Sequence, residues 1–224
     1  MKQTEVKFTA TADKGKVSAI LMRPDKATHL LVLGHGASTS MRHATMQRIA
    51  EVLAERGIAT FRYNFPYSEN GTARNSNKTC IETIRSAVRA AHEVTPDLCL
   101  LAGGHSFGGR MTTTAQSEKP LENVKGLILF SFPLHLAGRP DTKRAEHLAP
   151  IDIPLLFLSG SRDELAALDL LKPVVAKLGR EATLHLLDTA NHSYKVLKKT
   201  RSSAEDVFDE IARAAQEWIE SNGI

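Results

Sequence analysis

The chain has 224 residues, of which 42% are hydrophobic and 24% are charged, and its formal net charge is +4. This composition is ordinary for a globular protein and argues against intrinsic disorder. The 29 Lys and Arg residues are scattered along the chain rather than gathered on one segment, which argues against nucleic-acid binding.

Nothing in the sequence predicts export, a membrane span or a metal. The start of the chain, MKQTEVKFTATADKGK, lacks the apolar stretch of a secretory signal, and no apolar run approaches the length of a membrane helix. Cys80 and Cys99 are the only cysteines, too few for a zinc site or a disulfide framework. Without an internal repeat or a linker, the chain predicts one cytoplasmic domain over residues 1–224, with no cofactor and no membrane partner.

The predicted elements begin with a hairpin and continue as buried strands. EVKFTAT and KVSAILMR flank a Gly-containing turn, which is typical of a β-hairpin. Continuous apolar runs of strand length follow, and such runs suit strands that are buried on both faces of a parallel sheet. These runs cover residues 29–34, 58–65, 98–103, 124–131, 154–160 and 182–188.

Segments with helical periodicity separate these strands. They cover residues 45–57, 78–94, 107–119, 165–179 and 203–221. Pro173 predicts a kink or a split in segment 165–179. A capping box, formed by Ser203 with Asp206 or by Ser202 with Glu205, predicts the start of segment 203–221. The alternation predicts a doubly wound α/β fold, a mostly parallel twisted sheet of about eight strands with helices on both faces.

One pentapeptide has the pattern of a nucleophile elbow. Gly104-His105-Ser106-Phe107-Gly108 follows a predicted strand and precedes a predicted helix, as the G-x-S-x-G elbow requires. In that turn the serine adopts a strained backbone conformation, while Gly104 and Gly108 let the strand and helix approach. The alternative is a glycine-rich structural turn. The context favours Ser106 as a nucleophile.

A serine nucleophile needs a base that is oriented by an acid, and in this fold the acid precedes the base along the chain. The loop after strand 154–160 reads SRDEL and offers Asp163 as the acid. Glu164 and Asp188 are the alternatives, although Glu164 opens the next helix and Asp188 ends a strand.

The base is expected in the loop after strand 182–188. That loop reads TANHSY and offers His192. His185, within the strand, and His92, on a helix, are the competing histidines. Because loops at the carboxyl ends of parallel strands meet at one edge of the sheet, His192 is the predicted base.

Two backbone amides are predicted to form an oxyanion hole. One is the amide of Phe107, directly after the serine, and the other is expected in the loop after an early strand. His35-Gly36-Ala37-Ser38 supplies that loop, with Ala37 as the donor. A dinucleotide-binding reading of the same loop fails, because Thr39 replaces the third glycine of G-x-G-x-x-G.

Further polar residues follow strands whose ends border the predicted site. They either shape a pocket or finish the strands to which they belong. The candidate pocket residues are His35, Ser38, Tyr63, Asn64, Tyr67 and His105, with Arg62 beside them.

Two basic segments offer contacts to an anionic group or to an acidic partner. The first contains His135, Arg139 and Arg144, and the second, KVLKKTRSS, contains Lys195, Lys198, Lys199 and Arg201. The competing interpretation is that both are solvated charges on loops.

Five segments in order, LGHGAST, FRYNFPYSE, GGHSFGGR, LSGSRDEL and TANHSY, resemble signatures of the α/β-hydrolase superfamily. More narrowly, the chain is similar to the small dienelactone hydrolase-like branch, whose true members carry cysteine where this chain has Ser106. It is also similar to the related group that includes a subunit of an animal histone-acetyltransferase complex and its testis-expressed relative. The resemblance covers nearly the whole chain and implies hydrolysis of an ester, thioester or similar acyl bond. A catalytically silent interaction scaffold and an acyltransferase are the alternatives.

The insertion that builds a lid in many of these hydrolases is short here. Only residues 132–153 separate strands 124–131 and 154–160, too few for a lid domain. The resemblance therefore implies an open site for a small or accessible acyl substrate.

Overall fold

The computed structural model describes residues 2–224, so that Met1 lies outside the described residues. The strands are β1 (Lys2–Thr11), β2 (Gly15–Arg23), β3 (His29–Gly34), β4 (Ile58–Tyr63), β5 (Cys99–His105), β6 (Val124–Phe130), β7 (Leu155–Gly160) and β8 (Ala182–Leu187). All eight join one sheet in the order β1-β2-β4-β3-β5-β6-β7-β8. The prediction of one domain over 1–224 stays a prediction.

The sheet is mostly parallel. β1 pairs antiparallel with β2, which confirms the predicted hairpin, and β2 pairs antiparallel with β4. Every pairing from β4 through β3 to β8 is parallel. The loops that follow β3, β5, β7 and β8 therefore lie at one edge of the sheet, here called the carboxyl edge.

Helices cover both faces of the sheet and confirm the predicted fold class. They are α1 (Ala44–Glu55), α2 (Pro66–Asn70), α3 (Asn77–Val94), α4 (Phe107–Glu118), α5 (Leu168–Leu178) and α6 (Val207–Ser221), with 3-10 helices at Lys143–Leu148 and Gly179–Glu181. Apolar residues of α3, α4 and α5 form the core on one face. Those of α1 and α6 form the core on the other.

Of the two outcomes predicted at Pro173, a kink or a split, the split does not occur. α5 continues as one helix through Pro173. Leu171 and Val175, on either side of the proline, are buried in the core, and this packing holds the helix together although Pro173 donates no hydrogen bond. The helix begins at Leu168 rather than at residue 165, because Asp163 holds the preceding residues in a turn through the amide of Leu165.

The predicted capping boxes of the last helix are also wrong. α6 begins at Val207, and Asp206 is itself the N-cap, accepting a hydrogen bond from the Phe208 amide. Ser202 instead donates through its amide and hydroxyl to the Asp188 carboxylate. A tertiary contact thus takes the serine that the local pattern assigned to the helix.

The connection between β6 and β7 carries one short 3-10 helix, and residues 2–224 contain no lid domain. None of the helices in that range is long and apolar enough to span a bilayer. Within the same range no three His, Cys, Asp or Glu side chains gather as metal ligands would.

Candidate active site

Ser106 lies between β5 and α4 in a backbone conformation that is unusual for serine. Its φ of 52° and ψ of −114° lie outside the helical and extended regions, which costs energy in any residue with a side chain. The Ser106 amide donates to the Phe130 carbonyl over 2.8 Å, which holds the turn in place. Ser106 is also the N-cap of α4, yet its hydroxyl makes no capping hydrogen bond and is free to turn elsewhere.

The glycines around Ser106 permit close contact between backbones. A Cβ at Gly104 would lie 2.6 Å from the Gly34 carbonyl oxygen, and a Cβ at Gly108 only 2.3 Å from the same oxygen. Real Cβ atoms do not come so close to backbone, so no other residue fits without shifting the turn. The packing of β3 against the start of α4 therefore requires both glycines.

The structure brings Ser106, His192 and Asp163 together. The Ser106 hydroxyl lies 2.9 Å from His192 Nε2, and His192 Nδ1 lies 2.9 Å from each Asp163 carboxylate oxygen. The Asp163 side chain is 0% exposed and that of His192 is 13% exposed. A buried carboxylate that accepts from Nδ1 leaves Nε2 unprotonated and facing the hydroxyl.

The loops that carry Asp163 and His192 are joined to each other. The Arg162 amide donates to the Ala190 carbonyl over 2.9 Å, and a Cβ at Gly160 would lie 2.3 Å from the same oxygen. Beyond this contact, the Asn191 side chain accepts from the amides of Ser193 and Lys195 and closes a tight turn around His192. These backbone hydrogen bonds fix the position of His192.

The competing acids and histidines lie elsewhere. Glu164 is exposed, and Asp188 accepts from Ser202. His185 donates to Glu210 on α6, and His92 lies in the last turn of α3, before β5 begins.

The loop after β3 is fixed through the carbonyl of Gly36. Four groups donate to that oxygen, namely His35 Nδ1 at 2.7 Å, the Thr39 amide and hydroxyl, and the Tyr67 hydroxyl. In a trans peptide the N–H of the next residue points opposite to the carbonyl, so fixing Gly36 also aims the Ala37 amide. Among residues 2–224 neither the Ala37 nor the Phe107 amide donates to another protein group.

His35 holds this loop through its hydrogen bond to the Gly36 carbonyl and does not line a pocket. It is fully buried. The Phe65 amide donates to its Nε2, which assigns the proton to Nδ1. Burial lowers the pKa of His35 to about 4, so the ring is neutral.

The remaining candidate pocket residues divide between surface and core. Ser38 and Tyr67 line a depression of about 390 Å³ beside Ala37. Tyr63 is buried in β4 against Phe65, and Asn64 joins Met41 to Glu69 by hydrogen bonds. Arg62 is likewise fully buried, so these three finish a strand rather than shape a pocket.

His105 lies beside the histidine of the site. Its ring centroid is 5.5 Å from that of His192, and its Nε2 donates to the His192 carbonyl over 3.3 Å. Burial, reinforced by the His192 ring, lowers the pKa of His105 to about 4, so it stays neutral. His105 thus supports the position of His192 without competing for the Asp163 carboxylate.

The basic candidates are mostly engaged or remote. His135 is buried and accepts from the Ala167 amide, and Arg201 forms an ion pair with Glu210. Arg139 and the three lysines Lys195, Lys198 and Lys199 are exposed. Arg144 donates to the His135 carbonyl.

Two arginines beside Phe107, the residue after Ser106, were missing from the sequence-based predictions. The guanidinium carbon of Arg74 is 5.2 Å, and that of Arg110 5.8 Å, from the centre of the Phe107 ring. Arg74 also lines the depression beside Ala37. The position of Arg110, four residues after Ser106 on α4, was the one available hint.

The fold and the site define a hydrolase-like α/β protein without a lid. A family model described as an alpha/beta hydrolase domain matches residues 27–220. The chain therefore belongs to the alpha/beta hydrolase family, and the resemblance drawn from the sequence is confirmed.

Solved structures share the fold. A dienelactone hydrolase from Anabaena variabilis superposes with a TM-score of 0.76 at 19% identity, covering 99% of both chains. XC6422 from Xanthomonas campestris, described as a serine hydrolase without a lid, has a TM-score of 0.73 at 18% identity, covering 99% of this chain and 95% of its own. At the level of the fold, the chain is thus of the small lidless, dienelactone hydrolase-like type.

A curated relative carries a different kind of name. A "putative phosphoribosyl transferase" from Mycobacterium tuberculosis is 26% identical over 210 residues, which is 91% of this chain and 43% of the relative. This chain thus spans less than half the length of that relative.

Proposed function

We propose that the chain is a serine hydrolase that cleaves a carboxylic ester or related acyl bond of a small, accessible substrate. One observation carries the proposal: the Ser106 hydroxyl lies 2.9 Å from His192 Nε2, and His192 Nδ1 lies 2.9 Å from both Asp163 oxygens. An alcohol is a weak nucleophile at neutral pH, and an oriented imidazole is the group that activates it.

In the first half of the reaction His192 is a general base and then a general acid. His192 Nε2 takes the Ser106 proton while the hydroxyl oxygen forms a bond to the acyl carbon. The resulting imidazolium is stabilised by the buried Asp163 carboxylate. When the bond to the leaving group breaks, His192 returns the proton to that group and the acyl-enzyme remains.

The tetrahedral intermediate needs donors for its negative oxygen. The Ala37 and Phe107 amides suit this role, because both are free of protein acceptors in residues 2–224 and the Gly36 carbonyl fixes the direction of the first. The Phe107 amide also opens α4, whose N-terminus favours negative charge.

In the second half of the reaction water attacks the acyl-enzyme. His192 takes a proton from water as the new bond to the acyl carbon forms, and the Ser106 oxygen recovers a proton as it leaves. The short connection between β6 and β7 leaves the site open, which supports water as the acceptor and small acyl groups as substrates.

The two hydrolases of known structure support the proposal, whereas the relative named as a putative phosphoribosyl transferase does not. The dienelactone hydrolase and the lidless serine hydrolase share this fold. We propose no phosphoribosyl transfer for this chain, because more than half of the relative with that name lies outside the matched region.

Covalent labelling by a fluorophosphonate tests the proposal without knowledge of the substrate. We expect stoichiometric labelling, mapped to Ser106 by peptide mass spectrometry, and its loss in Ser106→Ala and His192→Ala. Folded protein that is not labelled would favour the interaction scaffold instead.

The same protein separates a hydrolase from an acyltransferase. A hydrolase releases acid that carries ¹⁸O when a short-chain ester is cleaved in H₂¹⁸O. Products in which the acyl group instead resides on an added alcohol or amine, with little free acid, would favour the acyltransferase.

A further inference from the structure

Three arginines from separate segments gather beside the nucleophile. Arg74 and Arg110 lie over the ring of Phe107, the residue that follows Ser106. Arg144 lies in the 3-10 helix Lys143–Leu148, which is joined to α4, the helix of Arg110, by a 2.8 Å hydrogen bond between His147 and Thr113. Burial, followed by the charges of Arg144 and Arg74, lowers the pKa of Arg110. Arg74, Arg110 and Arg144 are here called the arginine cluster.

The arginine cluster has no acidic partner in residues 2–224. Other arginines in that range do form ion pairs, namely Arg23, Arg42, Arg48, Arg201 and Arg213. The thiol of Cys80 does not supply a negative charge, because burial raises its pKa to about 11 even though the charges of Arg74 and Arg110 act to lower it. Three cations held together without a counter-charge repel one another, and an anion between them relieves that repulsion.

The position of the cluster ties this anion to the catalytic groups. Arg74 lines the depression of about 390 Å³ whose wall also includes Ala37, the proposed oxyanion donor. The Phe107 ring beneath Arg74 and Arg110 belongs to the second proposed donor. A charged group held here therefore lies within one small molecule's reach of an acyl carbon at Ser106.

Guanidinium groups suit oxyanions in particular. Each presents a planar set of N–H donors that matches a carboxylate or a phosphate, and it stays charged at neutral pH. Arg74 and Arg110 lie over the Phe107 ring and not against a carboxylate, which leaves their N–H groups available for such hydrogen bonds.

We propose that the arginine cluster binds an anionic substituent, a carboxylate or a phosphate, of the ester or thioester that Ser106 cleaves. This inference rests on the proposed function and adds a substrate class to it. It also separates Arg144, which belongs to the cluster, from Arg139, which the sequence grouped with it and which lies exposed in the same segment.

Matched pairs of esters test the proposal. The carboxylate pair is mono-4-nitrophenyl adipate and its methyl ester, and the phosphate pair is phenyl acetate carrying a para phosphate or a para methoxy group. We expect the kcat/KM ratio of charged to neutral ester to exceed one for at least one pair, and the preferred pair identifies the anion.

Variants assign that preference to the cluster. Arg74→Gln and Arg144→Gln should each lower the ratio about tenfold, the size of one lost hydrogen bond to a charged group. Arg144→Lys should recover part of the ratio, because a charge is restored even though the fork of donors is not. Arg89→Gln is the matched control, since Arg89 is exposed on α3 and donates only to Ser86, and it should not change the ratio.

The outcomes distinguish this inference from the proposed function. Labelled Ser106 with neutral esters cleaved and no preference for either charged ester overturns the inference alone. An equal loss of the ratio in Arg89→Gln also overturns it, because general surface charge is then sufficient. An unlabelled Ser106 with no ester cleaved overturns the proposed function and this inference with it.

Discussion

Two histidines of this chain each bind a carboxylate over 2.9 Å, and they differ in the third group beside the pair. His185 Nε2 lies 2.9 Å from Glu210, whose other oxygen pairs with Arg201. His192 Nδ1 lies 2.9 Å from Asp163, while its other nitrogen faces the Ser106 hydroxyl. A guanidinium as third partner makes an ion-pair network that ties α6 to the loop after β8.

A histidine and a carboxylate therefore do not by themselves make a reactive site. The third group beside the histidine and its carboxylate decides whether the site can be reactive. Which group that is depends on the segment of the chain that lies next to the pair. At the carboxyl edge that segment is the elbow, where the turn at Ser106 presents a hydroxyl. On the α6 side it is the loop that carries Arg201, which also donates to the Asp188 carbonyl.

The largest expected effect separates the two histidines. His192→Ala should lower kcat for a short-chain ester about 10⁶-fold, because Ser106 loses its base. His185→Ala should leave kcat nearly unchanged, since that ring contacts Glu210 and not the site. Steady-state kinetics on both variants, with circular dichroism to confirm folding, make the measurement. Comparable losses of kcat in the two variants would contradict the assignment of His192 as the base for Ser106.

A smaller effect is expected when the carboxylate beside His192 is made neutral. Asp163→Asn should lower kcat about 10⁴-fold, because the amide no longer holds the imidazole in the tautomer that accepts the serine proton. Asp188→Asn is the control, because Asp188 accepts from Ser202 and lies outside the site. If Asp163→Asn retained a kcat within tenfold of the unchanged protein, another residue would have to orient His192.

The smallest effect is on stability and concerns the ion pair between Glu210 and Arg201. Glu210→Gln should lower the free energy of unfolding by about 3–5 kcal/mol, because Arg201, 4% exposed, loses its counter-charge. Urea denaturation measures the change. Glu217→Gln breaks an exposed pair with Arg213 and should cost less than about 1 kcal/mol. Equal costs for the two variants would mean that Arg201 reaches water when its partner is removed.

Sequence reasoning succeeded where the physical cause is local or topological. The elbow could be predicted because glycine at residues 104 and 108 reflects a steric need that the pentapeptide itself expresses. Asp163 and His192 could be assigned to their loops because the carboxyl ends of parallel strands share one edge. Both arguments need only the order of elements and the identities of a few residues.

Sequence reasoning failed where a distant group competes for a side chain. Ser202 was assigned to a capping box but bonds to Asp188. Pro173 was expected to kink or split its helix, but core packing keeps α5 as one helix across the proline. Tyr63 and Tyr67 were grouped as one motif and both are buried, yet only Tyr67 lines the depression, because Tyr63 ends β4 and α2 begins between the two residues.

The amino-acid sequence is enough to predict the alternation of strands and helices, the turn at Ser106 and the loops that carry Asp163 and His192, because periodicity and backbone sterics act over a few residues. The three-dimensional packing is needed to show that the Ser106 hydroxyl lies 2.9 Å from His192 and that Arg74 and Arg110 meet over Phe107. Such distances join segments far apart in the chain, and they depend on how the sheet twists and how its helices pack.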